Sequence, residues 1–120
     1  MTRRIVVTGL GAITPLGLDV PSTWDALVHG RSGITRITRF DPAPYETQIA
    51  GEVKGFEPTK YMDRKEVRRT DRFAQYAVGA ATQALDDAGL KGGGEDRDRI
   101  GVAIATGVGG IETLDRKSVV

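Results

Sequence analysis

The sequence contains no cysteine. Disulfides, thiolate metal sites and a cysteine nucleophile are therefore all excluded from its own chemistry. It has one histidine, His29, so no pair of imidazoles can act together as ligands or as acid and base. Excess charge of either sign is also missing: 17 Lys and Arg against 16 Asp and Glu leave a net charge of +1. Bulk attraction to nucleic acid or to a membrane surface is excluded, and any electrostatic partner must be met locally. Long apolar runs are absent too. The stretch after Met1-Thr2-Arg3-Arg4 is too short for a signal segment, and no window approaches a membrane span. A cytoplasmic, soluble protein is the expectation.

What is abundant is glycine, 16 of 120 residues, about twice the ~7% of ordinary usage. The glycines are scattered, which points to shaped loops and close backbone packing. The stretch Arg3 to Gly17 organises the rest. Ile5-Val6-Val7 is an unalternated β-branched run, suited to a strand covered on both faces. Gly9, Gly11 and Gly17, with Pro15 fixing its own φ, predict a tight loop that is either a ligand cradle or a rigid packing corner. A nucleotide cradle fails on spacing. Thr14 stands where the third glycine belongs, His29 and Gly30 stand where a ribose-binding acid is needed, and no Gly-Lys-Ser/Thr follows. The packing corner is the better reading.

Further along, Ser22-Thr23-Trp24-Asp25 reads as a capping box opening a helix to about His29, with Trp24, Leu27 and Val28 as its buried stripe and Gly30 as its left-handed cap. His29 is then a helix-end residue rather than a ligand or base. Arg31 to Pro44 reads as an irregular crossover with at most short extended pieces. Thr47 to Lys54 alternates, Ile49, Gly51 and Val53 against Gln48, Ala50 and Glu52, predicting an exposed-edge or hairpin strand. Pro58 opens a short helical turn through Tyr61 and Met62.

Asp63 to Arg72 holds five cations and three anions. As one helix it would place Arg64, Arg68 and Arg72 on a shared face with Lys65 and Arg69 beside them. Composition alone favours a solvated face laced by Glu66 and Asp71 over a docking patch. Thr70 or Asp71 can cap the next helix, whose Phe73, Ala77, Ala80, Ala81, Ala84, Leu85 and Ala88 recur at helical spacing up to Gly89. So small a stripe, with Gly79 in the middle, predicts a central buried helix approached closely by its neighbours. Lys91 to Arg99 is a charged, glycine-rich loop. Ile100 to Thr106 is a second apolar strand ending at Gly107-Val108-Gly109-Gly110, where a new helix begins at Ile111.

Two strand–threonine–glycine units separated by a long helix describe an α/β protein with a mostly parallel sheet. Two central strands and two long helices do not cover both faces of such a sheet. The expectation is that residues 1–120 are the incomplete front part of a larger α/β protein.

Taken together, Arg3 to Gly17, Ser22-Thr23-Trp24, Gly33-Ile34, Arg39-Phe40-Asp41, Ala50 to Val53, Asp63 to Glu66, Asp71-Arg72-Phe73, Ala84 to Leu90 and Gly107 to Gly110 resemble the N-terminus of the type II β-ketoacyl-acyl carrier protein synthases. Polyketide ketosynthases and chain-length factors share many of these motifs. The resemblance implies a thiolase-like, layered αβαβα fold, a homodimer, and no cofactor. It also implies a cysteine that takes an acyl chain from acyl carrier protein, and two histidines that help decarboxylate malonyl carrier protein for a two-carbon extension. Those groups lie beyond this sequence, and His29 matches neither histidine, so the resemblance gives the chain no catalytic residue. By position, Lys65, Arg68 and Arg69 match the patch that docks the acidic carrier protein, which raises docking above the solvated face. Val108 matches the position lining the far end of the acyl pocket, where a side chain of this size would limit chain length; simple loop packing is its alternative. Residues 115–120 depart from the family pattern. The competing class is a non-catalytic, cysteine-less relative of the chain-length-factor type, or a short carrier-protein binder using the same patch.

Overall fold

A computed structural model describes residues 2–90, 96–111, 113 and 114. The loop expected over 91–95 and the departing tail over 115–120 lie outside the described residues. Helix α1 spans Val20–Val28. Its N-cap is Asp19, three residues ahead of the expected Ser22, because the Asp19 carboxylate accepts the Ser22 N–H at 2.8 Å and Pro21 fits the first turn. The Ser22 hydroxyl and then its N–H hold the Asp19 carboxyl below the usual carboxylate range. The far end follows the expectation. Gly30, at φ +63°, allows Gly30 N–H to reach Leu27 O at 3.1 Å and Arg31 N–H to reach Ala26 O at 2.9 Å, a Schellman closure. The stripe of Trp24, Leu27 and Val28 is not buried: they are 65%, 54% and 57% exposed, and the face that packs inward carries Ala26.

The crossover and the alternating segment form a two-stranded antiparallel hairpin. Strand β1 (Ile34–Arg36) pairs with β2 (Ile49–Gly51), Ile34 opposite Gly51 and Arg36 opposite Ile49. Strand β2 is shorter than the alternation over 47–54 predicts, and Glu52 lies just past its end. Its carboxylate crosses to the Thr38 hydroxyl at 2.7 Å and to the Thr38 and Arg39 N–H groups at 3.1 and 3.3 Å. The Thr38 hydroxyl, then its N–H, stabilise the ionised form and hold the Glu52 carboxyl below its usual value. A depressed folded-state value means the clamp contributes fully above the ordinary glutamate range and is lost as pH falls through and below it. Protection of the Thr38 and Arg39 amides against exchange is expected to drop across that acidic window. In Glu52→Gln the drop should vanish; an identical pH profile in that variant would remove Glu52 as the cause.

A 3₁₀ turn, Pro58–Lys60, follows as predicted. It places Tyr61 in a stack on Phe56, ring centres 5.8 Å apart. The charged stretch is not one helix. Helix α2 covers only Arg64–Val67, opened by a capping box between Asp63 and Glu66, and helix α3 begins afresh at Arg72 and runs to Asp87. Arg72 therefore does not continue the face of Arg64 and Arg68. Gln75 fixes the break: buried in the first turn of α3, it donates to Val67 O at 3.1 Å and Thr70 O at 2.9 Å, carbonyls a continuous helix would have used. Helix α3 ends at Gly89, φ +71°. It is half-covered rather than buried throughout, with Phe73 and Leu85 42% and 45% exposed.

The two apolar runs are the larger departure. Neither Ile5–Val7 nor Ile100–Thr106 joins a ladder, and the hairpin is the sheet of the described residues. Ile5 and Val7 are 96% and 78% exposed, and Val102 and Ile104 82% and 63%. The radius of gyration, 17.6 Å, exceeds the roughly 14 Å of a compact domain this long. A strand needs a neighbour to accept its backbone hydrogen bonds, and among the described residues these two have none.

Candidate functional site

The first glycine corner is built against α3. A Cβ on Gly9 would stand 2.2 Å from Ala84 O, and one on Gly11 1.9 Å from Ala80 O. The alanine stripe and the glycines are two halves of one close approach. The loop's amides are committed: Leu10 N–H donates to Asp87 Oδ2 at 2.8 Å and Ala12 N–H to Gln83 Oε1 at 3.2 Å. Thr14 Oγ1 accepts from Leu16 and Gly17 at 3.1 Å, which closes the loop where a nucleotide fingerprint has its third glycine. Amides occupied by helix side chains do not cradle phosphate; the corner is for packing. Gln83 also donates to Leu18 O at 2.7 Å and Tyr61 Oη at 3.1 Å. The sequence reading missed this hub, whose one signal is a polar residue set among the alanines of α3.

The basic patch sits on α2 and the turn after it. Lys65, Arg68 and Arg69 are all exposed. The acids that composition offered as their counter-ions are employed elsewhere. Asp63 accepts from the Lys65 and Glu66 N–H groups at 2.8 Å, Glu66 accepts from the Asp63 N–H at 3.3 Å, and Asp71 accepts from Thr113 Oγ1 at 2.7 Å. Among the described residues, Arg64, Lys65, Arg68 and Arg69 form no salt bridge. Arg64 and Arg68 line an open cleft of about 470 Å³ together with Glu57, Thr59 and Val67. Four exposed cations with no salt bridge among the described residues suit an acidic protein surface.

Val108, 70% exposed, lies on the second glycine turn. Gly109 is left-handed at φ +72°, its N–H bound to Thr106 Oγ1 at 3.1 Å, and helix begins at Ile111. The structure thus places the patch and Val108 on separate elements, with Asp71 between them. His29 caps the end of α1, its Nδ1 2.8 Å from Asp25 O, while Arg31 pairs with the Asp25 carboxylate.

Comparison with known proteins places this arrangement. The family model for "Beta-ketoacyl synthase, N-terminal domain" matches residues 2–119. The chain is 48% identical over 113 residues to the 3-oxoacyl-[acyl-carrier-protein] synthase 2 of Staphylococcus aureus and equally to that of Vibrio cholerae, covering 94% of this chain and 27% of each relative. It therefore spans about a quarter of the length of the curated relatives it matches. Among solved structures it is similar to the ishigamide ketosynthase/chain length factor (TM-score 0.65, 38% identity, 80% of this chain and 23% of that one). It is similar also to a β-ketoacyl synthase from Burkholderia phymatum (TM-score 0.64, 33% identity, 81% and 24%). These solved neighbours are ketosynthases of the thiolase-like fold, and the chain belongs to the β-ketoacyl synthase family.

Proposed function

We propose that this chain is the N-terminal part of a β-ketoacyl synthase domain that docks acyl carrier protein in fatty-acid elongation, and that these 120 residues alone do not condense. The complete reaction is a decarboxylative Claisen condensation: malonyl carrier protein loses carbon dioxide, its carbanion attacks an enzyme-bound acyl thioester, and 3-oxoacyl carrier protein results. That chemistry needs a thiolate and imidazole donors, which a cysteine-free chain with one helix-end histidine does not hold. The chain's own contribution is recognition. Lys65, Arg68 and Arg69 meet the carrier's acidic face, and Val108 bounds the far end of the acyl pocket. In the whole enzyme the setting is a cytoplasmic homodimer. Among the described residues no helix is long and apolar enough to cross a membrane.

The observation that carries this reading is the set of exposed cations on α2 and the turn after it, which form no salt bridge among the described residues while Asp63 and Glu66 are engaged in the capping box of α2. Titrating the chain with acyl carrier protein at two salt concentrations tests it. At low salt the triple variant Lys65→Ala, Arg68→Ala, Arg69→Ala is expected to bind at least tenfold more weakly, and the difference should shrink at high salt. Equal affinities would refute docking at α2. A second reading, a cysteine-less partner of the chain-length-factor type, is favoured by the structural likeness to the ishigamide ketosynthase/chain length factor. An open reading frame downstream with a cysteine at a strand-to-helix turn and two later histidines decides for the enzyme.

A further inference from the structure

We propose that Asp71 is the positioning residue of the Val108 turn, tying it through the Thr113 hydroxyl to the helix start that also anchors the basic patch. The proposal rests on the roles of Val108 and α2 given above. Asp71 occupies the N-cap position of α3, yet its side chain makes no capping hydrogen bond. An aspartate there ordinarily accepts a backbone N–H of its own helix. Here the carboxylate instead reaches 42 residues along the chain: Thr113 Oγ1 lies 2.7 Å from both Oδ1 and Oδ2. The turn is shaped to receive it. A Cβ on Gly110 would stand 2.6 Å from Asp71 Oδ2, so a residue other than glycine would push the carboxylate away, and Phe73 closes the same notch. Thr113 and Leu114 N–H in turn bind Gly110 O, both at 3.1 Å, so holding Thr113 holds the turn. On its other side, Asp71 O accepts from Ala74 and Gln75 N–H at 3.0 and 3.1 Å, and Gln75 is the staple that fixes Val67 and Thr70 of the patch. A continuous run of hydrogen bonds thus joins the docking element to the acyl turn.

The test uses the 120-residue chain with labelled Val methyls and amides, titrated with acyl carrier protein. In the native chain the Lys65 and Arg68 amides and the Val108 methyls are expected to shift together. In Thr113→Val, of nearly unchanged shape, docking affinity should stay within twofold while the Val108 response falls at least fivefold, and Thr113→Ser should restore it. An undiminished Val108 response in Thr113→Val, with docking intact, overturns the proposal and spares the docking reading. The converse case has its own readout without a partner. Loss of a hydrogen bond to a carboxylate is expected to speed exchange of the Gly109, Thr113 and Leu114 amides by about tenfold or more, again rescued by Thr113→Ser. Unchanged exchange overturns the positioning role. Rescued exchange with no shift at Lys65 or Arg68 keeps Asp71 as the turn's anchor and sinks docking instead.

Discussion

Gly11→Ala is expected to lower the stability of the chain by about 3 kcal/mol, the upper end of overpacking costs, and to strip protection from the Leu10 and Ala12 amides. The added methyl would lie 1.9 Å from Ala80 O, 2.8 Å from Ala84 N and 2.9 Å from Ala80 C, all helix backbone. A flexible side chain can rotate away from an intruding carbon; the backbone of a 16-residue helix cannot. Relief therefore has to come from the opening segment lifting off α3. That breaks Leu10 N–H to Asp87 and Ala12 N–H to Gln83 together, and leaves a half-buried Gln83 short of an N–H donor, at a further cost. Gly101→Ala is the control, because a Cβ there meets nothing within 4 Å and its φ is not positive. Urea unfolding of the two variants, read with exchange at Leu10 and Ala12, decides the matter. Equal midpoints would mean the glycine corner is not a packing device.

The same corner shows what the sequence made legible. A run of small residues at helical spacing and a loop of glycines are complementary patterns, each needing a partner that comes within a Cβ radius, and the structure pairs them at Ala80, Ala84 and Ala88. Caps were legible where a left-handed residue is required, at Gly30 and Gly89. They were less so where several side chains compete. Between Asp19 and Ser22 the aspartate wins, since a carboxylate is the stronger acceptor. The break between α2 and α3 was legible as a cap at Thr70 or Asp71, and Asp71 holds that position; what no local pattern encodes is Gln75, whose side chain reaches back eight residues to Val67 O. The site divides in the same way. The cations of α2 are visible in composition, but whether they are neutralised depends on where Asp63, Glu66 and Asp71 turn, and only the fold shows that those acids face backbone and Thr113.

A double substitution, Val102→Lys with Ile104→Lys, is expected to weaken self-association of the chain at least a hundredfold. Residues 102 and 104 alternate onto one face, and both are more than half exposed, as are Ile5, Val6 and Val7. Burying two such side chains between copies contributes about 3 kcal/mol or more, and at roughly 1.4 kcal/mol per tenfold their loss alone accounts for the change. Lysine adds a second effect, because unpaired strand edges are templates for pairing and a charge at the edge blocks it. The native chain should therefore associate with rising concentration and take up an apolar dye, both measurable by sedimentation and fluorescence. The double variant should sediment as a monomer with α3 amides equally protected, since exposed side chains on 100–106 make no contact that α3 needs. A native chain that stays monomeric and dye-free at high concentration would mean the strand faces are covered within the chain after all. Association persisting in the variant would instead assign it to Ile5–Val7, whose backbone is equally unpartnered. Both runs carry the unalternated pattern of strands clad on two sides, so the demand for cover is written into the sequence even where the described residues do not supply it.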